Sequence, residues 1–114
     1  MSVQRINPGP RMSSAVIHRE TVYTAGHVDA SASDVAGQTR AILARLDAVL
    51  AEAGTDKTKL VSANIWLADI STFEEMNAVW DAWVAPGNPP ARATVEARLA
   101  QPQYKVEIAV IAAR

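Results

Sequence analysis

The segment over residues 104–113, with the sequence YKVEIAVIAA, constrains the fold most strongly. Side chains on a strand alternate between two faces. One face then carries Tyr104, Val106, Ile108, Val110 and Ala112. The other carries Lys105, Glu107, Ala109, Ile111 and Ala113. Both faces are apolar apart from Lys105 and Glu107, a pattern typical of a strand that is covered on both sides. The rest of the chain, or another subunit, must provide that cover.

Composition limits the classes of protein to consider. The 114 residues predict a single domain over residues 1–114. The net charge of -1 gives no electrostatic reason to expect binding to nucleic acid or to a membrane. No cysteine is present, which excludes disulfides and a cysteine nucleophile. No apolar run reaches the roughly 18 residues of a membrane span, and residues 1–5 do not begin a signal peptide. We therefore expect a cytoplasmic protein.

The remaining elements follow from periodicity and turn residues. Residues 1–12 contain the turn formers Asn7-Pro8-Gly9-Pro10, which indicates a turn-rich opening that is not a strand core. Residues 14–17 and 21–28 predict a hairpin, and a glycine within its second strand, Gly26, indicates a bulge or a close approach to the backbone. Further elements are predicted as a helix over 35–53, a strand over 60–68, a helix over 73–84 and strands over 92–99 and 104–113.

The predicted order is therefore β-β-α-β-α-β-β. Strand–helix–strand units favour right-handed crossovers, which place both helices on one face of a mixed sheet. The other face would carry apolar side chains such as Trp66 and Ile111, and a monomer rarely exposes a patch of that size. We therefore expect an oligomer that closes through this face, and a ring with sites between subunits satisfies the pattern.

Two charged residues stand out in the last two strands. Arg92 follows two prolines and shares a face with Thr94, whereas Ala93 and Val95 lie on the face that is expected to be buried. Glu107 lies within the apolar segment, where an unpaired charge is costly. An arginine and a glutamate on strands expected to be adjacent indicate either an ion pair, with Glu107 or with Glu96, or a functional site.

Several segments together resemble the RidA/YjgF family of reactive-intermediate deaminases. They are residues 90–95 (PARATV), 106–108 (VEI), 23–28 (YTAGHV) and 76–80 (MNAVW). Residues 77–83 and 104–107 are most similar to the YoaB-like branch of that family. The resemblance implies a chorismate-mutase-like (YjgF-type) α+β fold and a homotrimer with three clefts between subunits. It also implies no metal and no organic cofactor.

The resemblance further implies an activity, the hydrolysis of small 2-imino and enamino acids, such as species derived from 2-aminoacrylate, to 2-keto acids and ammonia. Arg92 would bind the substrate carboxylate, and Glu107 would position or activate water. An arginine fork suits a planar carboxylate, and a carboxylate can accept a proton from water. The substrate-binding residues expected on this basis are Arg92, Thr94, Gly26, Ala25 and Tyr23.

The chain departs from the family pattern at two positions. Members often carry serine before the glycine, where this chain has Ala25, and tyrosine after an N-terminal Gly-Pro, where it has Arg11 and Met12. Two hydroxyl groups are therefore missing, and Tyr23 or Thr24 are the available replacements. These departures keep two other classes open: a non-catalytic protein that binds small carboxylates such as 2-keto acids, and a regulatory or structural protein.

Overall fold

The computed structural model describes residues 2–114 of the chain. Within that range the chain forms six strands and two α-helices. In chain order they are β1 (Val3–Ile6), β2 (Ala15–His18), β3 (Thr21–Thr24), α1 (Val35–Glu52), β4 (Leu60–Leu67), α2 (Phe73–Trp83), β5 (Ala91–Glu96) and β6 (Val106–Ala113). Short 3₁₀ turns at Lys57–Lys59 and Ile70–Thr72 precede β4 and α2. No helix within residues 2–114 has the length and apolar character needed to cross a membrane.

The strands form one mixed sheet in the order β1-β2-β3-β6-β4-β5. The β4–β5 pair is parallel, because α2 forms the crossover between these strands, and the other neighbouring pairs are antiparallel. Helices α1 and α2 pack together on one face of this sheet. The predicted α+β, chorismate-mutase-like architecture, with two helices on one face of a mixed sheet, is confirmed.

The core lies between the helices and one face of the sheet. Alternate residues of β4 and β6 point into it, and each of them is at most 1% exposed: Ala63, Ile65, Leu67, Val106, Ile108, Val110 and Ala112. Helix α1 contributes Ile42, Leu43, Leu46 and Leu50. The intervening residues of these strands, including Trp66, Glu107 and Ile111, lie on the other side, called the open face below. None of them is fully buried, which confirms the expected bare face.

Strand β1 is missing from the predicted order β-β-α-β-α-β-β and corrects the prediction that residues 1–12 are not a strand core. Val3–Ile6 pairs with β2 along its whole length, from Val3 opposite His18 to Ile6 opposite Ala15. Three of its four residues are exposed, so it has no apolar alternation by which to recognise it. Backbone hydrogen bonds at the edge of the sheet hold it, and these leave no trace in a hydrophobic pattern.

Aspartates that cap short turns predict how stability responds to acid. Asp69 accepts hydrogen bonds from the backbone N–H of Ser71 at 2.9 Å and from its hydroxyl at 2.7 Å. These two bonds lower the pKa of Asp69 below 3.8, and the bond from the hydroxyl has the larger effect. Hydrogen bonds from Ser31 lower the pKa of Asp29 in the same way, and those from Thr58 lower the pKa of Asp56. Their stabilising contribution is present above pH 3.8 and is lost as the pH falls through the lowered pKa.

Asp69→Asn should therefore lose less Tm than the wild type when the pH falls from about 5 to about 2, because asparagine still caps the turn but does not titrate. Thermal unfolding followed by circular dichroism at several pH values measures this difference. An identical loss of Tm in both proteins would show that Asp69 does not contribute to the acid response.

Candidate functional site

The Glu107 carboxylate lies directly against the backbone of Gly26. An ideal Cβ built on Gly26 would lie 2.0 Å from Glu107 Oε2 and 3.0 Å from its carboxyl carbon. Non-bonded atoms do not approach so closely, so only glycine fits here while Glu107 keeps its position. The φ angle of Gly26 is outside the left-handed region, so space and not backbone conformation requires glycine. The close approach predicted at Gly26 is confirmed.

A β-bulge places Gly26 beside Glu107. Tyr23 pairs with Ile111, and His27 pairs with Ile108. Three residues separate Tyr23 from His27, whereas two separate Ile108 from Ile111. The segment that continues β3 therefore has one extra residue. The ladder resumes beyond the bulge, where the His27 N–H donates to the carbonyl of Ile108 at 2.8 Å and the Ile108 N–H donates back at 3.1 Å. The bulge that the sequence indicated at Gly26 is therefore present together with the close approach.

Side-chain hydrogen bonds fix the conformation of this bulge. The Thr24 hydroxyl accepts a hydrogen bond from the Val110 N–H at 2.9 Å and donates to the Ala25 carbonyl at 3.0 Å. The same carbonyl lies 2.9 Å from His27 Nδ1, which must carry the proton because a carbonyl only accepts. Both functions of the Thr24 hydroxyl are thus used within the chain.

Four of the predicted site residues lie in β3, in the bulge that follows it and in the neighbouring strand β6. Gly26 and Ala25 form the bulge, and Glu107 covers Gly26. Tyr23 is 44% exposed on the open face, because its partner Ile111 occupies that face together with Glu107. This group of residues (Tyr23, Ala25, Gly26 and Glu107) is called the glutamate cluster below.

Arg92 lies elsewhere, on the helix-covered face of β5. Its guanidinium carbon is 5.3 Å from the centroid of the Trp80 ring and 5.8 Å from that of Phe73. Within residues 2–114 no carboxylate forms an ion pair with Arg92. A structural ion pair of Arg92 with Glu96 or Glu107 is therefore not formed within the chain, and Glu96 instead accepts from the backbone N–H of Ile70 at 3.1 Å.

Two buried polar atoms without hydrogen-bond partners accompany Arg92. They are Thr94 Oγ1, two residues along the same strand, and Asn77 Oδ1 on α2. Asn77 lies one helical turn from both Phe73 and Trp80, the residues whose rings contact Arg92. Buried polar atoms are almost always hydrogen-bonded, so two unpartnered atoms on the strand and the helix that hold Arg92 indicate a candidate polar binding position. Arg92, Thr94 and Asn77 are called the arginine cluster below.

Sequence reasoning did not assign Asn77 to the site. The signal was present, because Asn77 is a polar residue in the inward-facing stripe of α2 between Met76 and Trp80, both of which are buried. A polar residue in such a position needs a partner. No group of three or more His, Asp or Glu side chains within the described part of the chain is arranged to hold a metal ion.

The two clusters lie on opposite faces of the sheet, which corrects the prediction that Arg92 and Glu107 stand on adjacent strands. Strand β4 separates β5 from β6. Arg92 on β5 pairs with Ala63 on β4, and Ala63 pairs with Val110 on β6. Val110 is three residues from Glu107 along β6. Strand spacing and rise then put the Cα atoms of Arg92 and Glu107 roughly 14 Å apart.

The faces of β5 are also the reverse of those predicted. Arg92 and Thr94 point towards the helices, and Ala93 and Val95 point to the open face. Val95, which was expected to be buried, is 51% exposed. The reversal follows from the location of β5. It is the edge strand of the sheet, and its inner face contacts α2 through the polar side chain of Arg92.

Comparisons with known proteins agree with this architecture. A family model described as Endoribonuclease L-PSP matches residues 2–114. The chain is 44% identical over 113 residues to the RutC family protein YoaB of Escherichia coli strain K12, which covers 99% of both chains. A crystal structure of a YjgF family member from Neisseria meningitidis superposes with a TM-score of 0.98 at 44% identity, covering 100% of this chain and 96% of that one.

A more distant relative has a name that states an activity. The 2-iminobutanoate/2-iminopropanoate deaminase of Rattus norvegicus is 31% identical over 107 residues, covering 88% of this chain and 77% of that protein.

Proposed function

Because the chain belongs to the Endoribonuclease L-PSP family and is similar to its YoaB members, we propose that it is a hydrolytic deaminase. Its substrates are small reactive 2-imino and enamino acids, and its products are 2-keto acids and ammonia. The name of the rat relative, an iminobutanoate and iminopropanoate deaminase, supports this activity. The proposal includes a single-domain homotrimer that works in the cytoplasm with sites between subunits and without a metal or an organic cofactor.

The observation that carries the proposal is the unpaired guanidinium of Arg92. An arginine held by aromatic rings, with no carboxylate partner within residues 2–114, keeps its N–H donors for an anion. A planar carboxylate accepts two parallel N–H···O bonds from such a fork. Thr94 Oγ1 on β5 and Asn77 Oδ1 on α2 are buried without hydrogen-bond partners on the two elements that hold Arg92. A small molecule with a carboxylate next to a polar group fits this set.

The position of the two clusters supports a site between subunits. Arg92 and Glu107 face opposite sides of the sheet of one chain, so they act on one small substrate only if they come from different chains. The open face carries the exposed Tyr23 and Val95 with the half-buried Trp66. An apolar face of this kind is suited to a neighbouring subunit. A trimer would then contain three equivalent sites.

The reaction follows from these groups. Arg92 holds the carboxylate so that the adjacent iminium carbon faces a water beside Glu107. The water oxygen forms a bond to that carbon, and Glu107 accepts a proton from the water. Glu107 then returns the proton to the nitrogen, the carbon–nitrogen bond breaks, and ammonia leaves with the hydroxyl proton as ammonium. The 2-keto acid remains, and Glu107 is again ionised.

The missing hydroxyls affect the details of this proposal. Ala25 replaces the expected serine, and the Thr24 hydroxyl cannot substitute for it because it is already bonded to Val110 and Ala25. Tyr23 remains available, since its side chain is 44% exposed on the open face. We therefore assign recognition chiefly to the arginine cluster, with the backbone of Gly26 beside Glu107.

A second candidate function is a non-catalytic protein that binds small carboxylates, such as 2-keto acids, through the same Arg92. The absence of a side-chain hydroxyl at Ala25 favours it. A competition assay separates the two functions: an amino-acid oxidase produces the 2-imino acid, and semicarbazide traps what remains. The deaminase proposal predicts that the protein lowers the semicarbazone signal. Binding of 2-keto acids by calorimetry without any such decrease would support the binding protein instead.

A further inference from the structure

The Arg92 guanidinium is positioned by aromatic rings where an ion pair would be the usual arrangement. Trp80 is 5% exposed, and its ring centroid is 5.3 Å from Arg92 Cζ. The Phe73 centroid is 5.8 Å from the same atom. Both distances lie within the roughly 6 Å over which a ring attracts a cation. Phe73 and Trp80 are seven residues apart on α2 and therefore lie on one side of that helix.

The choice of rings has a chemical consequence. A carboxylate partner would hold Arg92 equally well, but it would occupy the N–H donors and would compete with a substrate carboxylate. A ring attracts the positive charge through its electron-rich face and accepts no strong hydrogen bond. Burial of Trp80 also fixes the ring, because close packing leaves it little freedom. The rings therefore restrain the side chain and leave its donors available.

We propose that Trp80, assisted by Phe73, is a positioning residue that holds Arg92 ready to bind the carboxylate of a small 2-imino or 2-keto acid. This inference rests on the proposed function for the identity of the ligand, although the restraint on Arg92 exists without a ligand. Trp80 does not contact the reacting atoms. Its effect is on affinity, through the orientation and the unpaired state of the guanidinium.

Two substitutions at position 80 separate positioning from packing. Trp80→Leu removes the aromatic face and Trp80→Phe retains one, while both reduce side-chain volume and should lower Tm. The dissociation constant for 2-oxobutanoate, measured by calorimetry, should rise about tenfold or more in Trp80→Leu and at most about threefold in Trp80→Phe. Trp83→Phe is the matched control on the same helix: the ring of Trp83 packs on that of Trp80, with centroids 5.3 Å apart, but is not among those that contact Arg92, and phenylalanine keeps an aromatic ring there. It loses the hydrogen bond to Asp47 and should retain the wild-type affinity.

An NMR measurement without ligand keeps this inference separate from the proposed function. The ¹⁵N–¹H heteronuclear NOE of the Arg92 Nε–H group should be high in the wild type and in Trp80→Phe and should drop in Trp80→Leu. If this result holds while the wild type binds no 2-keto acid, the positioning role stands and the proposed function fails. Equal NOE values in all three proteins, or equal losses of affinity in Trp80→Leu and Trp80→Phe, would overturn the positioning role.

Discussion

Arg92→Ala should lower kcat/KM for 2-imino acids by about 10²–10³-fold and abolish measurable binding of 2-keto acids. The loss corresponds to about 3–4 kcal/mol, the contribution of a two-bond, charge-assisted contact between a guanidinium and a carboxylate. Arg92→Lys should recover only a small part, because an ammonium group lacks the planar fork. Turnover in the semicarbazide assay and calorimetry with 2-oxobutanoate measure the two effects.

The control for this change is Arg98→Ala. Arg98 is exposed and lies beyond the end of β5 at Glu96, so its removal alters the net charge equally without touching the arginine cluster. Its turnover should stay within about twofold of wild type, as expected of surface substitutions. Equal losses of turnover in both variants would mean that Arg92 acts only through the overall charge and not as the carboxylate-binding group.

Gly26→Ala should lower kcat by about 100-fold while changing the affinity for 2-keto acids by less than about threefold. The new methyl carbon would lie 2.0 Å from Glu107 Oε2, so the carboxylate must rotate away from its position over the bulge. Arg92, which holds the ligand carboxylate, is held by the rings of Trp80 and Phe73 and not by Gly26 or Glu107, so its position does not depend on this substitution. The steady-state parameters therefore distinguish loss of the proton acceptor from loss of binding.

Gly9→Ala is the matched control, because a Cβ there would meet only the Met12 carbonyl, at an ordinary 3.5 Å. It should retain wild-type kcat. A Gly26→Ala variant with wild-type turnover would show that the position of Glu107 over Gly26 is not needed for the reaction. If Tm fell sharply in Gly26→Ala alone, the close approach would have a packing role instead.

Periodicity predicted well those features that depend on one element at a time. The apolar stripe of α1 and the glycine after it located the helix, and Gly54 has the positive φ of 83° expected at that position. Gly26 was recognisable because a glycine within a strand marks a bulge or a close approach to the backbone. Glu107 was recognisable as a charge in an apolar strand. These are local signals, and each refers to a single face of a single element.

Relations between elements could not be predicted in the same way. Alternation shows that Arg92 and Thr94 share a face, but the strand order decides which face that is and places β4 between Arg92 and Glu107. Strand β1 could not be recognised from the sequence, because backbone hydrogen bonds to β2 hold it and it has no apolar alternation. For Asn77 the sequence showed a polar residue in the inward-facing stripe of α2, but only the structure shows that its side-chain oxygen is buried without a hydrogen-bond partner. The resemblance to the family supplied the candidate residues, whereas the fold shows how they are divided between two faces.

Mixed trimers test most directly the central claim that Arg92 and Glu107 of different subunits form one deaminase site. Arg92→Ala and Glu107→Gln chains, each of which should retain little activity alone, are refolded together in equal amounts and assayed for 2-imino acid hydrolysis. A site formed by two subunits contains both native residues in about a quarter of random pairings, so about a quarter of wild-type activity should return. If both residues act within one chain, no site regains the pair, and activity that stays at the level of the separate variants contradicts the claim.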